Sequence, residues 1–370
     1  MQYGIFLYLC LEIIIELNHK YIYMNRDEFY MKRCIQLARN GQKNAQPNPI
    51  VGAVIVCDGK IIGEGYHVRC GEGHAEVNAI ASVKDQSLLE RSTIYVSLEP
   101  CSHYGKTPPC ADLIVSKHIP RVVVGTIDPF AKVSGRGIEK LRQSGIDVTV
   151  GVCENECRLL NKRFFTFHSK KRPFVTLKWA QSADGFISAE PCHGRTVISD
   201  WYTQMLCHKR RTEHQAILVG KRTALADNPS LNVREWVGPN PVRLVLDRVN
   251  DLPRSLSLFD GSVRTLVFTS AESAVESENV ELVHIDFSVD VLPQIMDSLY
   301  ALGIQTLLVE GGRELLQSFI DAGLWDEAYV EKGTVVIDNG TEAPSISHVP
   351  ARTVLVADGH EIIEYRNIQQ

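Results

Sequence analysis

Runs of apolar and polar residues along the first half of the chain predict alternating strands and helices. Apolar residues three to four apart over residues 27–39 predict a first helix. Two apolar runs, residues 51–57 and 61–65, flank Asp58-Gly59, which is typical of a tight β-hairpin turn. Further strands are predicted at residues 93–98, 121–125 and 147–152, with helices near residues 74, 109 and 138–144. This alternation is typical of a sheet covered by helices.

The second half repeats an α/β pattern after a charged linker at residues 168–174. Buried strands are predicted at residues 174–180, 216–220, 242–247, 264–270 and 306–310. Helical patterns cover residues 199–211, 289–302 and 314–322. From about residue 334 to the end, the pattern indicates β-rich packing.

Composition sets the broad class of the protein. Its 370 residues suggest two domains. The net charge is −5, with 39 basic and 44 acidic residues and no basic block, which argues against a nucleic-acid partner. Ten irregularly spaced cysteines in a long chain favour a reducing cytoplasm over a secreted disulfide scaffold.

Residues 1–23 form a separate apolar stretch that Glu12 and Glu16 interrupt. The apolar run is shorter than the roughly 20 residues of a membrane span. It also lacks the basic start and small-residue cleavage site of a signal peptide. We therefore expect an extension outside the fold and no membrane partner, with an amphipathic anchor as the alternative.

The chemistry of the first half centres on His74, Glu76, Cys101 and Cys110. One imidazole and two thiolates can hold a zinc ion and leave a fourth position for water. All three would lie at or near helix N-termini, where the helix dipole favours thiolate over thiol. Glu76, close to the metal but not a ligand, suits the role of a proton shuttle. These residues predict one catalytic zinc per chain.

Two alternatives remain open at this site. Cys70 lies four residues before His74 and could close a structural Cys3His site, with His67 and His103 as further candidate ligands. Asn48 could bind the edge of a heterocycle, or it could be an ordinary turn residue.

Zinc deaminases in their compact form have two residues between the cysteines, whereas this chain has eight.

Two stretches in the second half suggest a nucleotide. Gly311-Gly312 joins a strand to a helix, and such a turn can present backbone N–H groups to phosphate, or it can be a tight turn without a ligand. A polar loop after residue 220 contains Thr223, Asp227 and Arg234. Arg211 and Arg234 could bind phosphate or be ordinary surface charges.

Residues 24–165 resemble the deaminase half of the bifunctional riboflavin-biosynthesis deaminase/reductase family. The matching stretches are PNPIVGAVIV, HAEVNAI, SLEPCSHYGKTPPCAD, TIDPFAKVSGRGIEKLRQSGI and LNKRF. The eight-residue loop between the cysteines is characteristic of this family. The resemblance implies His74, Cys101 and Cys110 as zinc ligands, Glu76 as proton donor and a phosphoribosylated diaminopyrimidinone as substrate. Lys106 and Thr107 are candidate donors to its phosphate.

The second half resembles the reductase half of the same family. The matches are LKWAQSADGFI, HKRRTEHQAILVGKRTALADNPSLNVR, PVRLVLDR and LLVEGGRELLQSFI. The resemblance implies a fold like that of dihydrofolate reductase and NADPH as cofactor. The implied cofactor contacts are Ala180, Val197, Thr223, Asp227, Arg248, Gly311 and Gly312. The implied substrate contacts are Lys178, Arg195, Arg211, Leu231, Arg234 and Glu310, and Asn48 in the first half. Lys178 and Glu310 are candidates for positioning the sugar and supplying a proton.

The second half departs from the family pattern near its cofactor residues. Val197 precedes Ile198-Ser199 where the family often has Trp, and Arg195 replaces a small polar residue. Phe186 stands where a basic residue is frequent. These departures motivate an alternative, in which the reductase half is degraded and serves only as an oligomerisation module.

Taken together, the sequence predicts a two-domain cytoplasmic α/β enzyme. We expect a zinc-dependent, cytidine-deaminase-like three-layer α/β/α domain at residues 24–167 and an NADPH-dependent, dihydrofolate-reductase-like α/β domain at residues 168–370. The resemblance implies that it deaminates 2,5-diamino-6-(5-phosphoribosylamino)pyrimidin-4-one and then reduces the ribosyl to the ribityl chain. We expect a homo-oligomer. A nucleic-acid deaminase would need a basic surface with exposed aromatic residues, which the acidic balance does not supply.

Overall fold

The computed structural model describes residues 25–42, 44–102, 108–130, 134–189, 196–272 and 279–367. The chain divides between Ser169 and Lys170 into two units, called here the N-terminal and C-terminal units. The predicted extension, residues 1–23, lies outside the described residues. No helix in the described ranges has both the length and the apolarity that a membrane crossing requires.

The N-terminal unit is built on a five-stranded sheet. Its strands are β1 (Gly52–Cys57), β2 (Lys60–Tyr66), β3 (Thr93–Val96), β4 (Arg121–Val124) and β5 (Asp147–Val150). Its helices are α1 (Arg26–Ala38), α2 (Ala75–Ser82), α3 (Cys110–Ser116), α4 (Arg136–Gln143), α5 (Glu154–Leu160) and α6 (Lys162–Lys170). The strand order is β2-β1-β3-β4-β5, with β1 antiparallel to its neighbours and β3, β4 and β5 parallel.

Alternate residues of β1 enter two hydrophobic cores on opposite faces of this sheet. Ile55 packs in the core that includes Ile80 of α2, whereas Val54 and Val56 pack in the core that includes Met31 of α1. Because successive side chains of a strand point to opposite faces, helices cover both sides. The unit therefore has the three layers that the sequence predicts.

The predicted β-hairpin is confirmed and supports the helix that begins after His74. The turn residues Asp58 and Gly59 have φ of 50° and 76°, as a tight two-residue hairpin requires. A Cβ at Gly65 of β2 would collide with the backbone nitrogen of Ala79. Glycine therefore lets α2 lie directly on β2, and this contact fixes the position of the helix N-terminus.

The C-terminal unit is built on a nine-stranded sheet. The strands of that sheet are β6 (Phe174–Gln181), β8 (Ala216–Val219), β9 (Val242–Leu246), β10 (Thr265–Thr269), β11 (Val280–His284), β12 (Thr306–Gly311), β13 (Glu327–Lys332), β15 (Ala351–Ala357) and β16 (His360–Arg366). Two further strands, β7 (Phe186–Ala189) and β14 (Gly340–Glu342), form a separate pair. The helices of this unit are α7 (Trp201–Thr212), α8 (Lys221–Asp227), α9 (Val291–Ala301) and α10 (Arg313–Asp321). The strand order of the nine-stranded sheet is β11-β10-β9-β8-β12-β6-β13-β16-β15.

Most of this sheet is parallel and buried on both faces. Neighbouring strands run parallel from β11 to β13, and β16 and β15 add antiparallel strands at one edge. In β8, Leu218 packs in one core and Ile217 in the other. Such strands read as continuous apolar runs, which is why the sequence pattern located them.

Some sequence-based expectations were wrong in detail. Residues 221–227, expected as a polar loop, form α8; of its side chains only Ala224 is buried, so no apolar period marked the helix. Residues 168–170 belong to α6 rather than to a linker, and the helix ends shortly before Pro173. Strands β7, β11 and β13 were not predicted. The side chains of β7 and β11 are mostly partly exposed, whereas β13 is largely buried but carries the charged residues Glu327, Glu331 and Lys332.

Candidate active sites

The structure brings His74, Cys101 and Cys110 together. His74 is the N-cap of α2, Cys110 is the first residue of α3, and Cys101 lies between β3 and α3. The Nδ1 atom of His74 is 3.5 Å from Sγ of Cys101 and 3.3 Å from Sγ of Cys110. Tetrahedral zinc with nitrogen and sulfur ligands would set such atoms about 3.6 Å apart. The three side chains thus fit a zinc ion.

The alternative of a closed site with Cys70 is not supported by this geometry. The candidate metal group among the described residues consists of His74, Cys101 and Cys110, whose ligand atoms all lie within 4.8 Å of one another. Cys70 is exposed and is not part of it. His103 lies outside the described residues, as do the candidate phosphate donors Lys106 and Thr107.

The three side chains and Glu76 form a coupled electrostatic group. A hydrogen bond from the Cys110 thiol, with help from His74, lowers the pKa of Cys101 to about 4. The hydrogen bond to Cys101 raises the pKa of His74 to about 9. Glu76, in the first turn of α2, is 3% exposed, and burial raises its pKa to about 7. A carboxyl group with this pKa can both take and give a proton near neutral pH.

Asn48 and His67 form a pair beside the cysteine and histidine cluster. The His67 ring packs edge-on against the His74 ring, with centroids 5.3 Å apart. Nδ1 of His67 lies 3.2 Å from the Gly73 carbonyl, so this nitrogen carries the proton and Nε2 accepts from the Asn48 amide at 3.2 Å. Burial lowers the pKa of His67, which favours this neutral form. The pairing fixes the side-chain amide of Asn48.

A second buried cluster lies in the C-terminal unit around Glu310 of β12. Arg211 of α7 binds this carboxylate with two hydrogen bonds, Nε to Oε1 at 2.9 Å and Nη2 to Oε2 at 2.7 Å. Burial alone would raise the pKa of Glu310, but the charges of Arg211 and Lys178 lower it to about 2. Arg211 is therefore a largely buried ion-pair partner rather than an ordinary surface charge.

Lys178 lies on β6 next to β12 and lines a small cavity with Cys207 and Glu331. Burial opposes its charge, yet Cys207, Glu310 and Glu331 together raise its pKa. Cys207 also contacts Glu310, with Sγ 3.4 Å from Oε1. Sequence reasoning missed Cys207; its position four residues before Arg211 on α7 was the available signal.

The Gly311-Gly312 turn has the shape expected of a nucleotide cradle. Gly312 is the N-cap of α10, and a Cβ added there would lie 2.9 Å from Oγ1 of Thr223 in α8. The backbone nitrogen of Gly220 donates to the Gly311 carbonyl at 3.0 Å. The turn therefore leaves bare backbone at a helix N-terminus, next to a hydroxyl, and such an arrangement fits a dinucleotide phosphate.

The other residues predicted to bind cofactor or substrate are spread over the C-terminal unit. Leu231 is 2% exposed and packs in a core, so its backbone rather than its side chain could contact a ligand. Arg234 bonds the Asn232 side chain at 2.6 Å. Ala180 lies on β6, Asp227 ends α8, Arg248 follows β9, and Val197 is exposed. Arg195 lies outside the described residues.

Family models match both units. The model described as the cytidine and deoxycytidylate deaminase zinc-binding region matches residues 24–126. The model of the RibD C-terminal domain matches residues 173–339. These matches cover the parts of the chain that contain the two clusters.

Whole-length relatives share both units. The riboflavin biosynthesis protein RibD of Aquifex aeolicus is 41% identical over 82% of this chain and 86% of its own length. The protein of the same name from Bacillus amyloliquefaciens is 39% identical over 86% of this chain and 87% of its own length.

Solved structures of similar proteins also match both units of the chain. The crystal structure of a diaminohydroxyphosphoribosylaminopyrimidine deaminase/5-amino-6-(5-phosphoribosylamino)uracil reductase from Thermotoga maritima is 39% identical, with a TM-score of 0.80. It covers 92% of this chain and 98% of its own. RibD from Acinetobacter baumannii is 30% identical, with the same TM-score and coverage. The predicted fold class, a deaminase-type α/β unit followed by a reductase-type α/β unit, is confirmed.

Proposed function

The chain belongs to the RibD family of bifunctional riboflavin-biosynthesis proteins, and we propose that its two units catalyse that family's two reactions in succession. The enzyme deaminates a phosphoribosylated diaminopyrimidinone hydrolytically with zinc and reduces the ribosyl to the ribityl chain with NADPH. We assign the first reaction to residues 24–167 and the second to residues 168–370. The convergence of His74, Cys101 and Cys110 beside the buried Glu76 is the observation that carries the proposal.

In the deaminase unit we assign zinc to His74, Cys101 and Cys110. When bound there, zinc supplies a Lewis acid that acidifies a water molecule. A carboxylate oxygen of Glu76 takes one proton from the attacking water and delivers it to the ring nitrogen. It then takes the second proton from the hydroxyl group that has added to the ring carbon and delivers it to the leaving amine, which departs as ammonia. To the side chain of Asn48, which His67 holds, we assign a hydrogen bond to the edge of the pyrimidine.

In the reductase unit we assign substrate contacts to Lys178, Arg211 and Glu310, together with Leu231, Arg234 and Arg195. NADPH, when bound, supplies the hydride that reduces C1 of the ring-opened ribose. Arg211 keeps Glu310 charged and fixed, so that its carboxylate can orient sugar hydroxyls. Lys178, whose pKa is raised, holds a proton at Nζ close to this carboxylate.

For the cofactor we assign the Gly311-Gly312 turn and Thr223, together with Ala180, Val197, Asp227 and Arg248. The alternative of a degraded reductase is not favoured, since the C-terminal domain model matches this half and the Arg211–Glu310 pair is intact.

We also propose a cytoplasmic homo-oligomer without a nucleic-acid or membrane partner. The cysteines of the described residues are free, which suits a reducing compartment. The edge strand β15 exposes Val354 and Val356, which offer apolar surface to a second copy. Sedimentation of the purified protein and fractionation of cells test these two points.

The test of the proposed function follows NADPH oxidation by the purified protein supplied with the phosphoribosylated diaminopyrimidinone. NADPH loss that stops on addition of a zinc chelator, and resumes with added deaminated intermediate, is the expected result. Ammonia release without NADPH loss would leave only the deaminase. The absence of both signals would contradict the assignment of either reaction.

A further inference from the structure

The carboxylate of Glu99, two residues before Cys101, is a buried acceptor for backbone N–H groups. Its side chain is 4% exposed. Oε2 accepts from Asp128 N at 3.3 Å and Gly135 N at 2.9 Å, and Oε1 accepts from Gly137 N at 2.9 Å and Ile138 N at 3.4 Å. Because an ionised carboxylate is an acceptor at both oxygens, it satisfies all four donors, which an amide cannot do.

These hydrogen bonds attach the Glu99-Pro100-Cys101 segment to helix α4. The N–H groups of Gly137 and Ile138 lie in the first turn of α4, where no intrahelical partner is available. A negative charge is also favoured at that end of a helix. A Cβ at Gly137 would collide with the Pro100 carbonyl, so the helix N-terminus lies directly on this segment.

Cys101 is therefore held from both sides. After it, the backbone nitrogen of Cys110 donates to Sγ of Cys101 at 3.3 Å, and Ala111 N donates to the Cys101 carbonyl at 3.1 Å. Before it, Glu99 N donates to the Thr126 carbonyl at 3.0 Å while the Glu99 side chain binds α4. The direction of the Cys101 side chain depends on both attachments.

We propose that Glu99 is a positioning residue of the metal site: its carboxylate fixes the Glu99-Pro100-Cys101 segment against α4 and so aims Sγ of Cys101 at Nδ1 of His74. The inference rests on the proposed function only in taking His74, Cys101 and Cys110 as the ligands. Glu99 acts through the backbone of Cys101 and does not touch the substrate. Removal of a group that orients a metal ligand typically lowers the affinity for the metal about 10- to 100-fold.

The test measures metal binding rather than turnover. Glu99→Gln keeps the size of the side chain but turns an N–H₂ group toward backbone N–H groups. We expect zinc affinity, measured by competition with a chelator, to fall about 10- to 100-fold. Cobalt substituted for zinc should show a changed thiolate-to-cobalt absorption band. Glu64→Gln removes another carboxylate of the same unit, paired with Arg33 at 2.7 Å, and should leave both readouts unchanged.

A folded Glu99→Gln protein with wild-type zinc affinity and cobalt spectrum would overturn the inference. If this variant does not fold, Gly137→Ala keeps the carboxylate but forces α4 away from Pro100, and unchanged zinc affinity there overturns it equally. If both variants unfold the N-terminal unit in saturating zinc, Glu99 holds the fold rather than the site, and the inference is wrong. Wild-type zinc affinity in Cys101→Ala would instead contradict the ligand set of the proposed function.

Discussion

Glu76 and Glu310 are buried carboxylates whose surroundings move their pKa values in opposite directions. Burial raises the pKa of Glu76 to about 7. Glu310 is also buried, but the adjacent Arg211 and Lys178 lower its pKa to about 2. The first group can carry a proton at neutral pH, whereas the second remains a fixed anion. The two residues therefore suit the different tasks proposed for them.

Glu76→Gln tests the proton-carrying task. The amide cannot accept the proton of the attacking water, so deamination should fall about 100- to 10,000-fold. Zinc content should remain at the wild-type level, because Glu76 is not among the three ligands. Metal analysis and ammonia release measure the two quantities. Retained zinc together with a retained deamination rate would contradict the proposed mechanism.

Glu310 should make the stability of the C-terminal unit depend on pH. Because its folded-state pKa of about 2 lies below the ordinary 4.5, its charge stabilises the fold fully above pH 4.5. This contribution, on the order of 3 kcal/mol, is lost as the pH falls through 4.5 toward 2. Urea unfolding of wild type and Glu310→Gln should show a difference that shrinks with acidification. A pH-independent difference would contradict the assigned pKa.

Residue contacts were predictable from the sequence only where residue type and spacing limit them. His74, Cys101 and Cys110 could be identified because few types of side chain bind zinc. The sequence pattern also predicted that these three residues lie beside the starts of helices. The Arg211–Glu310 pair joins residues 99 apart, and the sequence contains no local sign of it. The hydrogen bonds of Glu99 to the start of α4 were equally hidden, since backbone donors have no residue signature.

At the scale of secondary-structure elements, the strand-to-helix turn at Gly311-Gly312 is a place where an added side-chain atom would meet a neighbouring helix. The turn joins β12 to α10, and Thr223 of α8 faces it. Its function in cofactor binding would depend on bare backbone, because a phosphate approaches N–H groups most closely where no side chain intervenes.

Gly312→Ala tests this element. The new Cβ would lie 2.9 Å from Oγ1 of Thr223 and would cover the backbone nitrogens. We expect the Kd for NADPH to rise at least about tenfold, which corresponds to about 1.4 kcal/mol. Fluorescence titration with NADPH measures this change, and the deamination rate of the same protein is the internal control. An unchanged Kd would exclude the turn as a cofactor contact.

Whether a helix or strand could be predicted from the sequence depended mainly on how many of its apolar side chains are buried. The strands that are buried between the two hydrophobic cores of the C-terminal unit, such as β8 and β10, were predicted with their ends correct to within one or two residues. Helix α8 and strand β11 were missed, because each buries one side chain and so lacks an apolar period. Strand β13 was also missed although it is largely buried, because charged residues interrupt its apolar run. Pattern reasoning therefore works for continuous apolar runs, and it fails where an element buries few side chains or contains charged residues.

At the scale of the whole molecule, each unit has its own hydrophobic cores. Those of the N-terminal unit include Ile55 and Met31, and those of the C-terminal unit include Leu218 and Ile217. The candidate zinc ligands lie in the first unit and the Gly-Gly turn in the second. Since a ligand stabilises the unit that binds it, the two ligands should act on separate unfolding transitions.

Calorimetry of the full chain tests this separation. NADPH at a hundred times its Kd should stabilise the C-terminal unit by about 2.7 kcal/mol, raising the midpoint of that transition by about 5–10 °C. A zinc chelator should lower only the other transition, which the N-terminal unit produces. Gly312→Ala should abolish the NADPH shift and preserve the chelator effect. If either ligand moved both transitions, the units would unfold together, and the two active sites would be coupled through the fold instead of merely joined in one chain.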